Sequence, residues 1–257
     1  MQPRQFPATP LSTIPLSTTL QSNDTATVLL SHYAVWGKYY DLSMVNAAGK
    51  TKIQPMRSRL ELFSHTISPA DAIRRTPDAV AVMMNPGGSQ PLSDITDLQH
   101  QHPDFAGYYP ARPDTTQYQI MRVMQRVGWQ HVRVLNLSDF RAPKSADFVR
   151  FLGEYDDVLP KNSSQNCHSI FDAAQADELS AAIGECTQFI LGWGVNIAFA
   201  PLAQRVLARL GQIPTAIIYG LKSNNAGMDW MYKHPLPLAQ PLAQRAWVEA
   251  VAGSVVA

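Results

Sequence analysis

The chain contains 257 residues, of which 46% are hydrophobic and 16% are charged, a composition that supports a packed core and argues against wholesale disorder. The formal net charge is only +1, which disfavours a protein that coats nucleic acid through bulk positive charge. Its two cysteines, Cys167 and Cys186, form no CxxC pair, so we expect no cysteine-based metal cluster, no disulfide framework and a reducing, cytoplasmic setting.

Two regions are predicted along the chain. Residues 1–25 are rich in Pro, Ser, Thr and Gln and show no hydrophobic period, which predicts a flexible N-terminal tail. Residues 26–257 suit a single α/β domain, because such folds often reach this length without dividing. No run of 18 apolar residues occurs, and the N-terminus does not resemble a secretory signal, so we expect no membrane partner. We also infer no obligate protein partner.

The first part of the predicted domain is an N-terminal β region. Residues 27–45 carry many aromatic and β-branched side chains, and the NAAG sequence at residues 46–49 is typical of a turn. We therefore predict two edge strands joined at this turn, with a further strand through residues 60–67.

Short apolar segments alternate with helical patterns from residue 79 onwards. Residues 79–84 (AVAVMM) form an apolar run that ends in an Asn-Pro-Gly-Gly sequence, which predicts a buried strand entering a tight loop. Residues 114–127 predict a helix, because apolar residues recur every three or four positions, Asp114 can cap its start and Gly128 can end it. The later pattern predicts strands at residues 132–137, 188–191 and 215–219, and helices at residues 177–186 and 201–210.

This alternation predicts an α/β fold, specifically a three-layer α/β/α sandwich around a mainly parallel central sheet. In such sheets, ligands bind beyond the carboxyl ends of the strands. Polar residues that directly follow the strands are therefore candidates for one common site. Four motifs meet this criterion, namely MMNPGGS at residues 83–89, VRVLNLSDF at 132–140, ILGWG at 190–194 and KHPLPL at 233–238.

The first motif combines Asn85 with Pro86, Gly87 and Gly88. Pro86 has a fixed φ angle, and the two glycines permit positive φ and a close approach of the backbone to a ligand. The amide of Asn85 could orient a water molecule but could not accept its proton as a carboxylate would. An ordinary Asn-Pro-Gly turn is the alternative interpretation.

Each of the other three motifs contributes one candidate side chain. Asn136 ends a strand, and its donor and acceptor suit the Watson–Crick edge of a base, although it could instead cap its own loop. Trp193 lies between two glycines and could form either a pocket wall or part of the core. His234 lies on a loop stiffened by prolines and could donate to a developing anion, or could be an ordinary surface residue.

In this order, the motifs resemble those of the uracil-DNA glycosylase superfamily, and the Asn-Pro-Gly loop resembles that of its mismatch-specific branch. The resemblance implies that Asn85 positions the hydrolytic water and that Asn136 reads the base. It also implies that His234 stabilises the departing base and that Leu238 wedges into the duplex. Phe105, Tyr108 and Tyr109 are candidates to stack on an extruded base. The remaining residues that the resemblance places around the base are Pro86, Gly87, Gly88, Ser89 and Trp193.

The same motifs are also similar to a bacterial family of uncharacterised proteins. That family combines an Asn-Pro loop, an Asp-x-Thr helix start, Asn-Leu, Trp-Gly and a late His-Pro. The helix start matches here at Asp114, Thr115 and Thr116.

These features predict a metal-independent hydrolase of nucleobase N-glycosidic bonds that needs no cofactor and acts on DNA. The alternatives are a non-catalytic nucleic-acid or nucleotide-binding protein and a small-molecule nucleoside hydrolase. Seven Lys or Arg residues within residues 111–150 could face a phosphate backbone, or could form ordinary solvated helix faces. A metal half-site at His100, His102 and Asp104 is a rival interpretation, disfavoured because it follows no clear strand and has no second ligand cluster.

Overall fold

The structure is a computed structural model that describes residues 25–92, 107–155, 166–224, 227–236 and 241–257. Of the predicted N-terminal tail, only Thr25 lies within these ranges, and its hydroxyl accepts a hydrogen bond from the Val28 amide at the start of the first helix. The flexible tail itself stays a prediction.

The fold is mixed α/β, as the sequence predicts. The helices are α1 (Ala26–His32), α2 (Pro69–Arg74), α3 (Thr115–Val127), α4 (Ser145–Tyr155), α5 (Ala176–Ile183), α6 (Ala200–Leu210) and α7 (Pro241–Val256). The strands are β1 (Tyr33–Val45), β2 (Thr51–Ser64), β3 (Ala79–Met83), β4 (Gln90–Pro91), β5 (Tyr108–Arg112), β6 (His131–Asn136), β7 (Gln188–Gly192) and β8 (Ile217–Tyr219). Within the described ranges, these strands form one sheet in the order β4-β5-β1-β2-β6-β3-β7-β8.

The long hairpin of β1 and β2 differs most from the prediction. Its turn lies at the predicted NAAG segment, where the side chain of Asn46 accepts hydrogen bonds from the Ala48 and Lys50 amides. The two strands are not edge strands, however, because β1 also pairs with β5 and β2 also pairs with β6. The first residues of the predicted β region form α1 instead.

Charged residues along β2 explain why the sequence does not predict an interior strand there. Arg57, Arg59 and Glu61 alternate along it, a pattern typical of a solvated face. In the structure Glu61 is fully buried, with Arg133 Nε 2.7 Å from Oε1 and His131 Nε2 2.8 Å from Oε2. Burial alone would raise the pKa of Glu61, but Arg133 and His131 together hold it below its usual value. The neighbouring strand β6, rather than water, therefore neutralises this charge.

The prediction of a mainly parallel sheet is wrong. β3 runs parallel to both β6 and β7, and β7 runs parallel to β8. The pairings β4-β5, β5-β1, β1-β2 and β2-β6 are all antiparallel. A tight turn can join only antiparallel strands, so β1 and β2 run antiparallel. Because this hairpin lies between β5 and β6, and pairs antiparallel with both, it makes this half of the sheet antiparallel.

The helix predicted at residues 114–127 is present as α3. Asp114 Oδ1 accepts hydrogen bonds from the Thr116 and Gln117 amides, and the Asp114 amide donates to the Gln117 side chain, which completes a capping box. Gly128 ends the helix with φ at 78°, a left-handed conformation that glycine adopts without strain. Four helices, α1, α2, α4 and α7, were not predicted from the sequence.

The central strand β3 packs apolar side chains on both faces of the sheet. Val80 and Val82 belong to a core cluster that includes residues of α4, α5 and α6. Ala79 and Ala81 belong to a second cluster that includes residues of α1, α3 and α7. Each fully buried valine stabilises the fold by about 1.5–3 kcal/mol relative to an exposed one. The loop that follows β3 therefore begins at a strand that is packed on both faces.

Candidate functional site

A cleft with a volume of about 310 Å³ lies beyond the carboxyl ends of β3 and β6. Asn85, Gly87 and Gly88 line it from the loop after β3, and Asn136 lines it from the end of β6. His234 lines it from the segment that precedes α7. The fold therefore brings into one cleft three polar side chains that are far apart in the sequence.

The start of α3 forms another wall of this cleft, and the sequence-based site did not include it. Asp114, Thr115, Thr116 and Gln117 all line the cleft. A Cβ atom on Gly87 would lie only 2.7 Å from Asp114 Oδ2, and the φ angle of Gly87 is +63°, so both space and conformation favour glycine there. The Asp-Thr-Thr sequence at the helix start was the signal that could have identified this wall.

The side chain of Asn85 is held in one orientation. Its Nδ2 donates to the carbonyl oxygens of Phe140 at 3.2 Å and Ala142 at 2.8 Å. Only the NH₂ group can donate to two carbonyls, so the amide cannot be flipped without losing both bonds. Oδ1 is buried and has no hydrogen-bond partner among the described residues. Asn85 therefore presents a fixed acceptor.

Asn136 lines the cleft with a buried amide group that lacks hydrogen-bond partners within the described ranges. The residue is fully buried at the end of β6, and neither Oδ1 nor Nδ2 has a hydrogen-bond partner in the described part of the chain. A buried polar group without a partner costs about 1–3 kcal/mol, so such groups are rare in a core without a reason. A free donor and a free acceptor side by side are what recognition of an amide-like ligand edge requires.

His234 enters the cleft as a neutral imidazole. Its Nδ1 accepts a hydrogen bond from the Leu236 amide at 3.2 Å, which leaves the ring proton on Nε2. Burial lowers the pKa of His234 to about 4. At neutral pH the ring can therefore donate a hydrogen bond from Nε2 but carries no positive charge. Leu236, which was not predicted as a site residue, also lines the cleft.

Trp193 lies in the core and does not line the cleft. It is fully buried, and its indole Nε1 donates to the Trp230 carbonyl at 2.9 Å. The adjacent Gly194 amide donates to the Tyr232 carbonyl at 2.8 Å. These two hydrogen bonds hold the segment that leads to His234, so the Trp-Gly motif positions the site without lining it.

Pro86 and Ser89 are also absent from the cleft wall, and they hold the loop in place. The Pro86 carbonyl accepts a hydrogen bond from Arg57 Nη1 at 3.2 Å, and Ser89 Oγ lies 3.5 Å from Tyr39 OH. Arg57 is fully buried, and burial lowers the pKa of its guanidinium, although Tyr39 and Asp114 oppose that shift. The loop thus rests on a buried cation.

The predicted stacking residues do not reach the cleft where the structure describes them. Tyr109 belongs to the core cluster that includes α3 residues. Tyr108 is buried on β5, and burial raises its pKa to about 12. Phe105 and Leu238 lie outside the described residues, as does the metal half-site proposed at residues 100–104.

The Lys and Arg residues within residues 111–150 lie in different environments. Arg133 is buried against Glu61 inside the sheet, and the half-buried Arg126 pairs with the exposed Glu249 of α7. Arg141 and Lys144 flank the cleft-lining Pro143 in the sequence. The Arg141 guanidinium lies over the Tyr39 ring, 5.3 Å from its centroid, and Lys144 is exposed. These side chains therefore form no continuous basic stripe.

No helix in the described ranges is both long enough and apolar enough to cross a membrane. No group of three or more His, Cys, Asp or Glu residues there could hold a metal ion. Comparisons of the chain with protein-family models, with characterised proteins and with solved structures found no match. The resemblance to the glycosylases therefore stays a prediction.

Proposed function

We propose that this protein hydrolyses the N-glycosidic bond between a nucleobase and deoxyribose in DNA. The observation that carries the proposal is the set of unpaired amide atoms in the cleft, namely Oδ1 of Asn85 and both amide atoms of Asn136. The neutral ring of His234, with its proton on Nε2, lines the same cleft. A nucleobase and a water molecule together present the complementary donors and acceptors.

The water side of the reaction uses Asn85 and Asp114. Cleavage passes through an oxocarbenium-like sugar, which a water molecule attacks at C1′ while the C1′–N bond breaks. Asn85 Oδ1 accepts a hydrogen bond from that water and orients it. An amide cannot take the proton, but the carboxylate of Asp114 lines the same cleft, and its Oδ2 takes no part in capping α3. Asp114 is therefore the general base of the proposed reaction.

The base side uses Asn136 and His234. The amide of Asn136 pairs with a donor–acceptor edge of the base and so selects it. The base leaves as an anion, and His234 Nε2 donates a hydrogen bond to it. Because burial lowers the pKa of His234 to about 4, the ring stabilises the anion by hydrogen bonding rather than by an opposite charge.

DNA is favoured over a free nucleoside by one exposed cation. Lys144 follows the cleft-lining Pro143 in the sequence and is exposed, so its ammonium group could contact a phosphate next to an extruded nucleotide. The unpaired amide of Asn136 would equally serve a protein that binds a nucleobase without turnover, and this non-catalytic protein is the second candidate.

Two broader predictions belong to this proposal. The three-layer arrangement is supported by the two apolar clusters to which different helices contribute. The cytoplasmic setting is supported by cysteine usage alone, since both cysteines are free and buried.

The test is a cleavage assay with labelled oligonucleotides that carry uracil, hypoxanthine, xanthine, 5-hydroxymethyluracil or a G·T or G·U mismatch. Alkali converts the expected abasic sites into strand breaks. We expect cleavage of at least one substrate and its loss in Asn136→Ala and His234→Ala. Ser31→Ala, on exposed α1, is the matched control and should cleave like the wild type. Salt-sensitive binding without cleavage would favour the non-catalytic protein, and neither activity would refute both candidates.

A further inference from the structure

A second cavity, with a volume of about 260 Å³, shares no lining residue with the cleft. Tyr40 of β1, Ser58 of β2, Asp139 of the loop after β6 and Glu178 of α5 all line it. We call it the Asp139 cavity. None of these residues takes part in the proposed hydrolysis.

A β-bulge places Ser58 in this cavity. Lys38 pairs with Arg59 and Tyr39 pairs with Arg57, so Ser58 is the extra residue without a cross-strand partner. Bulges redirect side chains and are common next to binding sites. The hydroxyl of Ser58 is buried and has no hydrogen-bond partner within the described chain.

Asp139 contributes a second unpaired oxygen. Its Oδ2 accepts a hydrogen bond from Tyr40 OH at 2.8 Å, whereas its buried Oδ1 has no hydrogen-bond partner among the residues described. Burial raises the pKa of Asp139 to about 7, although the Tyr40 hydrogen bond opposes the shift. The other charged or titratable groups that influence this carboxyl are His168, Arg57 and Asp172.

The other charged residues that line the cavity, Lys38 and Glu178, are paired with each other. Glu178 Oε1 lies 3.1 Å from Lys38 Nζ and 2.6 Å from Arg59 Nη2, a second cation that balances its charge. Cys167 Sγ donates to the Asp172 carboxylate, and burial raises the pKa of this thiol to about 12, so it stays protonated and is no nucleophile.

Charge and shape together favour one class of ligand. Asp139 Oδ1 and Ser58 Oγ can both accept from an N–H donor, and an anion would be repelled by the carboxylate. Tyr40, Leu42 and Ile170 supply aromatic and apolar surface, on which the aliphatic part of a ligand can pack and over which a cation is stabilised. The volume lies just below the range of about 300–1,000 Å³ that suits drug-sized ligands, so the ligand must be small.

We propose that the Asp139 cavity binds a small organic cation whose ammonium or amidinium group donates to Asp139 Oδ1 and Ser58 Oγ. This site does not depend on the proposed hydrolysis.

The test is isothermal titration of the full chain with putrescine and with agmatine, a diamine and an amino-guanidine. The uncharged 1,4-butanediol, of the same length as putrescine, controls for packing. We expect both cations to bind and the diol not to bind. Asp139→Asn should weaken binding about tenfold or more, because a charge-assisted hydrogen bond becomes a neutral one. Asp41→Asn, which removes an exposed acid from the same hairpin, should bind like the wild type.

Two further measurements sharpen the result. Ser58→Ala removes the second acceptor without touching the carboxylate, so it also should weaken binding even if Asp139→Asn proves unstable. Binding should be about tenfold tighter at pH 8 than at pH 6, because the carboxylate must ionise to hold the cation. Equal binding of the diol, an unchanged affinity in both variants, or no binding of either cation at millimolar concentration would overturn the proposal.

Discussion

Replacing Asp114 with Asn separates the two roles of this residue. As the N-cap of α3, Asp114 uses Oδ1 to accept from the Thr116 and Gln117 amides. Asn is about as good an N-cap as Asp, since its Oδ1 can accept the same bonds. What Asn cannot do is take a proton from water. The substitution therefore removes the proposed base and keeps the helix start.

The expected magnitudes differ by role. Loss of a general base lowers the rate of hydrolysis by about 100- to 10,000-fold. The structural cost is confined to the favourable interaction of a carboxylate with the helix N-terminus, about 0.3–1 kcal/mol. For a chain of this size, 1 kcal/mol lowers the melting temperature by only about 2–4 °C. A large loss of rate should thus accompany a small change in stability.

The assay is the single-turnover rate on the best oligonucleotide substrate, measured with the melting temperature of each variant. Asp71→Asn is the matched control, because Asp71 also lies in the first turn of a helix but is exposed on α2. Its rate should equal that of the wild type. A wild-type rate in Asp114→Asn would refute the assignment of the base while leaving the glycosylase proposal intact. A matching loss of rate in the control would show that the effect does not depend on a carboxylate in the cleft, and it too would refute the assignment of the base.

Three further predictions concern stability. Glu61→Gln should lower the free energy of unfolding in urea by about 3–5 kcal/mol, since Arg133 would be left as a buried charge without its ion-pair partner. Glu249→Gln, which removes the exposed carboxylate of the Arg126–Glu249 pair, should change it by less than about 1 kcal/mol. Equal effects would contradict this account. His234 has a pKa of about 4 in the folded state and about 6.5 in the unfolded state. The unfolded state therefore binds more protons between these values, so the free energy of unfolding is highest above pH 6.5 and falls as the pH drops toward 4. Denaturation of the wild type and His234→Gln across that range should differ in pH dependence, and parallel curves would count against a buried neutral ring. Asn136→Leu should leave the melting temperature unchanged or raise it while abolishing cleavage, and a marked destabilisation would mean that the amide is satisfied in the fold.

If the proposed function holds, stability and activity oppose each other at Asn136. Its two amide atoms have no partner in the described residues, although an apolar side chain would suit this buried strand end. A protein under selection for stability alone would not keep such a group. The same reasoning applies to the unpaired oxygens of Ser58 and Asp139 in the second cavity. In both cavities, buried polar atoms without hydrogen-bond partners among the described residues lower the stability of the fold.

Local sequence signals were enough to locate the elements that carry the cleft. The apolar run of β3, the cap and stop of α3 at Asp114 and Gly128, and the position of Asn136 at a strand end all depend on residues within a few positions of one another. Hydrophobic period, capping and glycine conformation act over that distance. For the same reason, the sequence identified Asn85, Asn136 and His234 as candidates but did not identify the start of α3 as another wall of the cleft.

Only the tertiary structure decided how these elements combine. The position of β1 and β2 inside the sheet depends on Glu61 meeting Arg133 and His131, which lie in another strand. The orientation of the Asn85 amide depends on carbonyls more than 50 residues away, and the entry of Asp114 into the cleft depends on a glycine in another loop. Pairing of strands and neutralisation of buried charge are contacts between distant parts of the chain, and no local pattern encodes them.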